Sequence, residues 1–286
     1  MRLVSKRPQW LLDHASNKYS QTGEDGVIAK VLSLLPVADQ WCVEFGAWDG
    51  IHLSNVRNLL LEKGFHGVLI EGDAGKFQEL ARNYAGNDKV RPINAFVGFD
   101  SATGLDGILS STDIPQDFDF LSIDIDGNDY HVWESIAKYR PKVVCVEFNH
   151  TIPTEVDFVQ PADPRIQQGS SLTALDRLAR TKGYELVCVL PWNGVWVDQK
   201  YFAAFEIADN RPQVVRTDYS TVTWLFSGYD GSVHLAGAKR MPWHDIAMDE
   251  RQHQALPRLL RTYPGNYTTL ERWLFGALKK LGVLRV

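Results

Sequence analysis

Between residues 22 and 190, short apolar runs alternate with stretches whose apolar residues recur at helical spacing. The runs are WCVEF (41–45), HGVLIEG (66–72), VRPINAFVG (90–98), FDFLSIDID (118–126), KVVCVEFN (142–149) and GYELVCV (183–189). Runs this short and this apolar read as strands covered on both faces, and the stretches at 22–35, 53–63, 74–84, 131–139 and 171–182 read as the helices between them. Strand and helix in alternation predict right-handed crossovers and a parallel sheet. The segment GYELVCVLPWNGVWVDQKYFAAF adds two strands with a turn at Asn193-Gly194, which predicts an antiparallel hairpin closing the sheet. The predicted fold is α/β: a doubly wound, Rossmann-like, mostly parallel sheet of seven strands ending in an antiparallel hairpin.

Two regions depart from the pattern. Residues 151–170 (TIPTEVDFVQPADPRIQQGS) hold three prolines and no periodicity, so they predict a loop, and a loop of that length is usually functional or disordered. Beyond residue 240 lies a short appendage. There Thr268 and Glu271 fit a capping box ahead of a stripe of Leu270, Trp273, Leu274, Ala277, Leu278 and Leu281, with Gly282 as the stop. The expected organisation is one domain over 1–240 and a small helical extension over 241–286. Arg272, Lys279 and Lys280 lie opposite the stripe. Packing on the parent domain is the first use this predicts; a dimer contact and docking on a membrane surface are the alternatives.

Composition narrows the class. With 286 residues, 44% hydrophobic, 23% charged and a formal net charge of −5, the chain reads as a soluble globular protein of one large domain plus an appendage. The mild negative charge and the lack of a long Lys/Arg run disfavour nucleic acid as a partner. No apolar run approaches the ~18 residues of a membrane span. The first twenty residues lack the apolar core of a secretory signal, so the expected location is the cytoplasm. Cys42, Cys145 and Cys188 have no CxxC spacing and fall in apolar runs, as buried thiols would.

The chemistry begins at the first strand, Val43-Glu44-Phe45-Gly46-Ala47-Trp48-Asp49-Gly50, which runs into an acidic, glycine-rich turn and then into the helical stretch IHLSNVRNLL. Glycines there let the backbone pass close to a ligand, and a helix N-terminus would offer free N–H groups. The next strand ends at Glu71, where nucleotide-binding α/β folds place the carboxylate that accepts the ribose hydroxyls. Neither G-x-G-x-x-G nor G-x-x-x-x-G-K-[ST] is present. Glu44 would repel a pyrophosphate and suits a ligand with a positive centre. S-adenosylmethionine (SAM), with its ammonium, sulfonium, ribose diol and adenine, is such a ligand.

In order along the chain, SQTGEDGVI, VEFGAWDGIHLSN, GVLIEGD, INAFVG, FLSIDIDGNDYHVWESI and QGSSLTALDRLARTKGYELV followed by NGVWV resemble class I SAM-dependent methyltransferases of the FkbM type, over residues 20 to about 205. The resemblance implies SAM as cofactor, with Glu44, Gly46, Ala47 and Gly50 around its methionine part and Glu71 on its ribose. It places Asn94 and Ala95 near the adenine and folds Ser20 and Gln21 over the cofactor, although the residues alone read equally as a helix cap. It also implies methyl transfer to a hydroxyl of a sugar, glycan or secondary metabolite.

A second constellation follows in Leu121-Ser122-Ile123-Asp124-Ile125-Asp126-Gly127-Asn128-Asp129. If the strand continues, Asp124 and Asp126 share a side, as do Glu147 and Asn149 at the next strand end. Asp124, Asp126, Glu147 and Asn149 could hold a hard cation such as Mg²⁺; the plainer reading has one Asp, Asp124, orienting SAM or substrate and the others capping helices and turns. His150 is the candidate general base, with His131 next and Asp126 completing the set. The 151–170 loop is expected to form the acceptor cleft, with Trp192 and Trp196 either stacking on a ring or packing the hairpin. Two other classes stay open: a non-catalytic interaction module on the same fold, and a metal-dependent hydrolase that does not use SAM.

Overall fold

A computed structural model describes residues 6–36, 40–100 and 103–284. Contacts divide the chain into two compact units, Met1–Asp218 and Tyr219–Val286.

The first unit holds seven strands: β1 (Trp41–Phe45), β2 (His66–Glu71), β3 (Val90–Asn94), β4 (Phe120–Ile123), β5 (Val143–Glu147), β6 (Tyr184–Val189) and β7 (Asn193–Asp198). Their order is β3-β2-β1-β4-β5-β7-β6. All neighbours are parallel except β7, which runs antiparallel to both β5 and β6. The helices are α1 (Glu24–Ser33), α2 (Arg57–Glu62), α3 (Ala74–Asn83), α4 (Leu105–Leu109), α5 (Asp129–Ser135), α6 (Leu172–Thr181) and the single turn α7 (Pro212–Val215). This is the α/β sheet that the alternation of apolar runs predicts.

Burial explains why the strands read as runs. Val43 and Phe45 of β1 belong to one core, with Ile123, Val146, Trp133 and Trp196. Cys42 belongs to the other, with Leu69, Cys145, Cys188 and Val195. Both faces are thus covered, so successive residues are apolar. All three cysteines are buried and unpaired. Trp196 is fully buried, its ring 5.2 Å from that of Trp133 and its Nε1 donating to Asp176. Its role is packing.

The strand order has a functional consequence. The chain steps outward from β1 through β2 to β3, then returns to lay β4 on the other side of β1. Loops leaving β1 and β4 therefore part in opposite directions, and a crevice opens at their C-terminal ends.

Two local expectations shift. The hairpin turn is not Asn193-Gly194, since both are already in β7, paired with Glu147 and Val146. The turn is Leu190–Trp192, closed by Leu190 N–H donating to the Asn193 carbonyl at 2.8 Å. Gly194 serves packing, because a Cβ there would lie 2.2 Å from the Trp196 ring. Helix α2 begins at Arg57, later than the apolar pattern suggests. Between Gly50 and Arg57 the side chains of Asp49, Glu44 and Ser54 accept from the N–H groups of Ile51, His52, Asn55 and Arg57 and hold the segment in turns.

The second unit is less helical than expected, and it begins at 219, so residue 240 falls inside it. It contains two antiparallel pairs, β8 (Thr223–Ser227) with β9 (Val233–Gly237) and β10 (Arg240–Met241) with β11 (Ile246–Ala247). Single 3₁₀ turns follow, then α8 (Thr269–Lys280). The pair β8–β9 escapes sequence reading because most of β8 is exposed on both faces, which leaves no alternation to detect. The capping box of Thr268 and Glu271 forms as expected, and Gly282 ends the helix at φ +69°. Among the described residues, no helix is long and apolar enough to cross a membrane.

Candidate active site

The crevice at the C-terminal ends of β1 and β4 holds a cavity of about 540 Å³. Gln21, Glu44, Gly46, Ala47, Glu71, Ala95 and Asp124, all read from the sequence as cofactor residues, line it.

Glu44 is buried near the end of β1. Its Oε2 accepts from Ser54 Oγ at 2.6 Å and its Oε1 from Asn55 N–H at 2.7 Å. Burial pushes its pKa up to about 7; those hydrogen bonds oppose the rise and the nearby Asp124 adds to it. Gly46 follows at φ +74°, and a Cβ there would fall 1.7 Å from the Asp124 carbonyl oxygen. Only glycine lets the β1 and β4 tips approach this closely.

Glu71 ends β2 with 7% of its surface exposed. One carboxylate oxygen accepts from Trp48 N–H at 2.8 Å and the other from Asp73 N–H at 2.7 Å. Both turns that flank the carboxylate are therefore tied to it, which fixes its orientation in the cavity wall. Asp73 in turn caps α3 by accepting from Lys76 N–H.

Several expected residues act from behind the wall. Asn94 donates from Nδ2 to the Glu71 carbonyl at 2.8 Å, joining the β2 and β3 tips, while its neighbour Ala95 reaches the cavity. The Gly50 carbonyl accepts from Tyr84 Oη, so that glycine closes the turn and does not line the cavity. Ser20 is not the N-cap of α1, a position taken by Gly23 at φ +113°. Ser20 Oγ instead accepts from Asp25 N–H, and Asp25 Oδ2 accepts from the N–H groups of Lys18, Tyr19 and Ser20. This clasp presents Gln21 to the cavity.

The acidic end of the cavity also differs from a simple strand extension. Strand β4 stops at Ile123, and Asp126 sits at φ +55° in a turn. Asp129 holds that turn by accepting from Ile125 N–H at 3.0 Å and Gly127 N–H at 2.9 Å. The turn, not strand alternation, brings Asp124 and Asp126 to Glu147, with ligand oxygens of all three within 4.8 Å of one another. Burial first, then neighbouring carboxylates, raises the pKa of Asp124, Asp129 and Glu147.

Asn149 does not join the trio. Its Nδ2 donates to the Gln168 carbonyl and its Oδ1 accepts from Thr151, because β5 ends at Glu147 and the side chain turns to the following loop. Asn128, by contrast, lines the same cavity as the trio, and its buried Oδ1 has no hydrogen-bond partner.

Neither candidate histidine lines the cavity. His150 is buried and stacked on Trp192, rings 5.1 Å apart and 4° from coplanar. Burial, then the Arg216 charge, lowers its pKa. His131 Nε2 lies 2.8 Å from the Gln160 carbonyl. Both therefore support the wall. Trp192 itself lines the cavity, as do Pro164 and Gln167 of the 151–170 loop. That loop is ordered around Gln160, whose Oε1 accepts from Gln168 and Gly169 N–H and whose Nε2 donates to the Ile166 carbonyl.

Sequence reasoning passed over His52, Trp48, Phe96 and Asn128, all of which line the cavity. Trp48 and Phe96 are exposed aromatics outside helix and strand, His52 belongs to an Asp49-centred turn, and no periodicity marks any of them.

Residues 100–186 match the family model described as the Methyltransferase FkbM domain. The match falls within the stretch whose motifs carry the resemblance, and it supports a SAM-dependent methyltransferase. No curated protein matches the chain by sequence. Among solved structures, the N-terminal domain of EvdMO1, solved in the presence of SAH and D-fucose, shares 12% identity at a TM-score of 0.41, over 67% of this chain and 93% of that one. A SAM-dependent methyltransferase from Aquifex aeolicus shares 12% identity at 0.37, over 66% and 97%. The citrinin polyketide synthase CMeT domain shares 11% at 0.40; the chain aligns over 61% of its own length and spans about half, 51%, of that domain.

Proposed function

We propose that the protein transfers the methyl group of SAM to a hydroxyl of a sugar, glycan or secondary metabolite. The observation that carries this reading is Glu71: a carboxylate fixed by Trp48 and Asp73 N–H at the tip of β2, in the same cavity as Glu44 and Asp124. A vicinal diol is what such a carboxylate accepts from. Glu44 and Asp124, raised by burial, gain most from a cationic neighbour such as an ammonium. The cavity volume falls within the ~300–1,000 Å³ usual for small-molecule sites.

When bound, SAM supplies an electrophilic methyl carbon on a sulfonium. An acceptor oxygen would bond to that carbon as the S–C bonding pair leaves on sulfur. The chain's task is to hold acceptor and methyl donor in line and to receive the hydroxyl proton. Asp126 is the exposed carboxylate at that end of the cavity and serves as the proton acceptor. Trp192, backed by the His150 ring, presents a flat wall for a sugar or other ring, with Pro164 and Gln167 beside it. His150 acts through Trp192 as a positioning residue.

As an alternative to Asp126 acting as the proton acceptor, a divalent cation fits the acidic end. Asp124, Asp126 and Glu147 supply oxygens, and the unpartnered Asn128 Oδ1 supplies the neutral oxygen first sought in Asn149. Such a set suits Mg²⁺, which there would hold an acceptor hydroxyl and make its proton more acidic.

Calorimetry with S-adenosylhomocysteine tests the assignment. The protein is expected to bind it, and Glu71→Ala to weaken binding at least about tenfold through loss of a charge-assisted hydrogen bond. A mass increase of one methyl on a saccharide acceptor would complete the test. Failure of the unaltered protein to bind either SAM or S-adenosylhomocysteine overturns the reading.

A further inference from the structure

The exposed side of the C-terminal helix points to a second activity of the chain, independent of the cavity. Helix α8 is seated by one flank only. Leu274, Phe275 and Leu278 are half-buried, and the Phe275 ring lies 5.9 Å from that of Tyr267. Leu270, Trp273 and Leu281 recur at helical spacing on an adjoining flank, and they are 68%, 69% and 75% exposed. The stripe read from the sequence as a packing face is thus split: half seats the helix and half faces solvent.

Charge is segregated in the same segment. Residues 256–286 contain six basic side chains (Arg258, Arg261, Arg272, Lys279, Lys280 and Arg285) and one acid, Glu271, for a net of 6 − 1 = +5. The whole chain carries −5, so residues 1–255 carry −5 − 5 = −10. Glu271 is spent on the cap, accepting from Thr268 N–H and Oγ1. Arg261 and Arg272 donate to backbone carbonyls, and among the described residues no carboxylate pairs with Arg258, Arg261, Arg272, Lys279 or Lys280. Leu259, Tyr263 and Val283 of the same segment are also more than half exposed.

We propose that residues 257–283 dock the protein on an anionic lipid surface, with Leu270, Trp273 and Leu281 entering the headgroup layer and the basic residues facing lipid phosphates. An amphipathic helix with Trp and Leu on one side and Lys or Arg beside it lies in the plane of such an interface. A second copy of the chain is a poorer occupant, since it would bring +5 against +5. Nucleic acid would answer the charge and leave the Leu/Trp stripe in water.

Cosedimentation of the full chain with vesicles tests this, comparing phosphatidylcholine alone with a phosphatidylglycerol-rich mixture. The protein is expected to sediment with the anionic vesicles, not with the neutral ones, and to be released by high salt. Lys279→Gln with Lys280→Gln should weaken binding about thirtyfold, from the share each basic residue contributes near an anionic surface. Leu270→Ala, Trp273→Ala and Leu281→Ala together should abolish it while leaving the circular dichroism spectrum and S-adenosylhomocysteine binding unchanged. Three results would overturn the proposal: equal sedimentation with and without anionic lipid, a dimer by light scattering that the triple variant splits, or lipid binding that survives the triple variant and is competed away by duplex DNA.

Discussion

At the scale of single residues, the site depends on carboxylates whose partners are backbone N–H groups. Glu71 and Asp129 each bind two, which makes them fixtures of the turns around the cavity as much as acceptors for a ligand. Glu44 is different, because burial raises its pKa to about 7 and its charge depends on what occupies the cavity. A bound ammonium favours the ionised form, so affinity for SAM is expected to tighten as pH rises through about 7. Measuring the dissociation constant across that range checks this, and Glu44→Gln should flatten the profile. A profile unchanged by Glu44→Gln would place the charge elsewhere.

At the scale of elements, the informative piece is the 151–170 segment, which has neither helix nor strand and yet is ordered. Gln160 is buried and satisfies three backbone groups within the loop, while His131, Asn128 and Asn149 reach it from α5, its cap and the end of β5. Residues that read as candidate base and ligand are thus its moorings. Gln160→Ala would leave buried polar groups unpaired, at a cost of about 1–3 kcal/mol each. The expected outcome is faster amide exchange across residues 160–170 and a higher KM for the acceptor, with S-adenosylhomocysteine affinity little changed. Hydrogen-exchange mass spectrometry alongside kinetics reads both.

At the scale of the molecule, four acids share one end of the sheet, Glu44 and Asp129 buried and Asp124 and Glu147 half-buried. Burial raises the pKa of Glu44, Asp124, Asp129 and Glu147 above their unfolded values, so between those values the folded chain binds more protons than the unfolded one. Stability of the ligand-free protein is therefore present at mildly acid pH and is lost as pH rises toward 7. For Glu44 alone, a rise from 4.5 to about 7 corresponds to on the order of 3 kcal/mol. Thermal melting is expected to show a falling Tm from about pH 5 to about pH 8, and S-adenosylhomocysteine or Mg²⁺ to reduce the slope. A Tm that rises over this range would mean that these carboxylates are paired in the free protein.

The sequence by itself determined the sheet and much of the lining of the cavity at its C-terminal edge. Strands covered on both faces must be apolar throughout, so β1, β2, β5 and β6 could be read to within a residue or two, and Glu44, Gly46 and Glu71 followed as strand-end residues. The capping box of α8 was legible for a related reason, since both of its hydrogen bonds are local. Tertiary structure decided what depends on distant partners. Whether His150 meets solvent or Trp192, whether Asn149 faces the cavity or the following loop, and which half of the α8 stripe is seated are set by neighbours remote in sequence or by turn conformation. Periodicity records which face of an element is covered; it carries no record of what covers it.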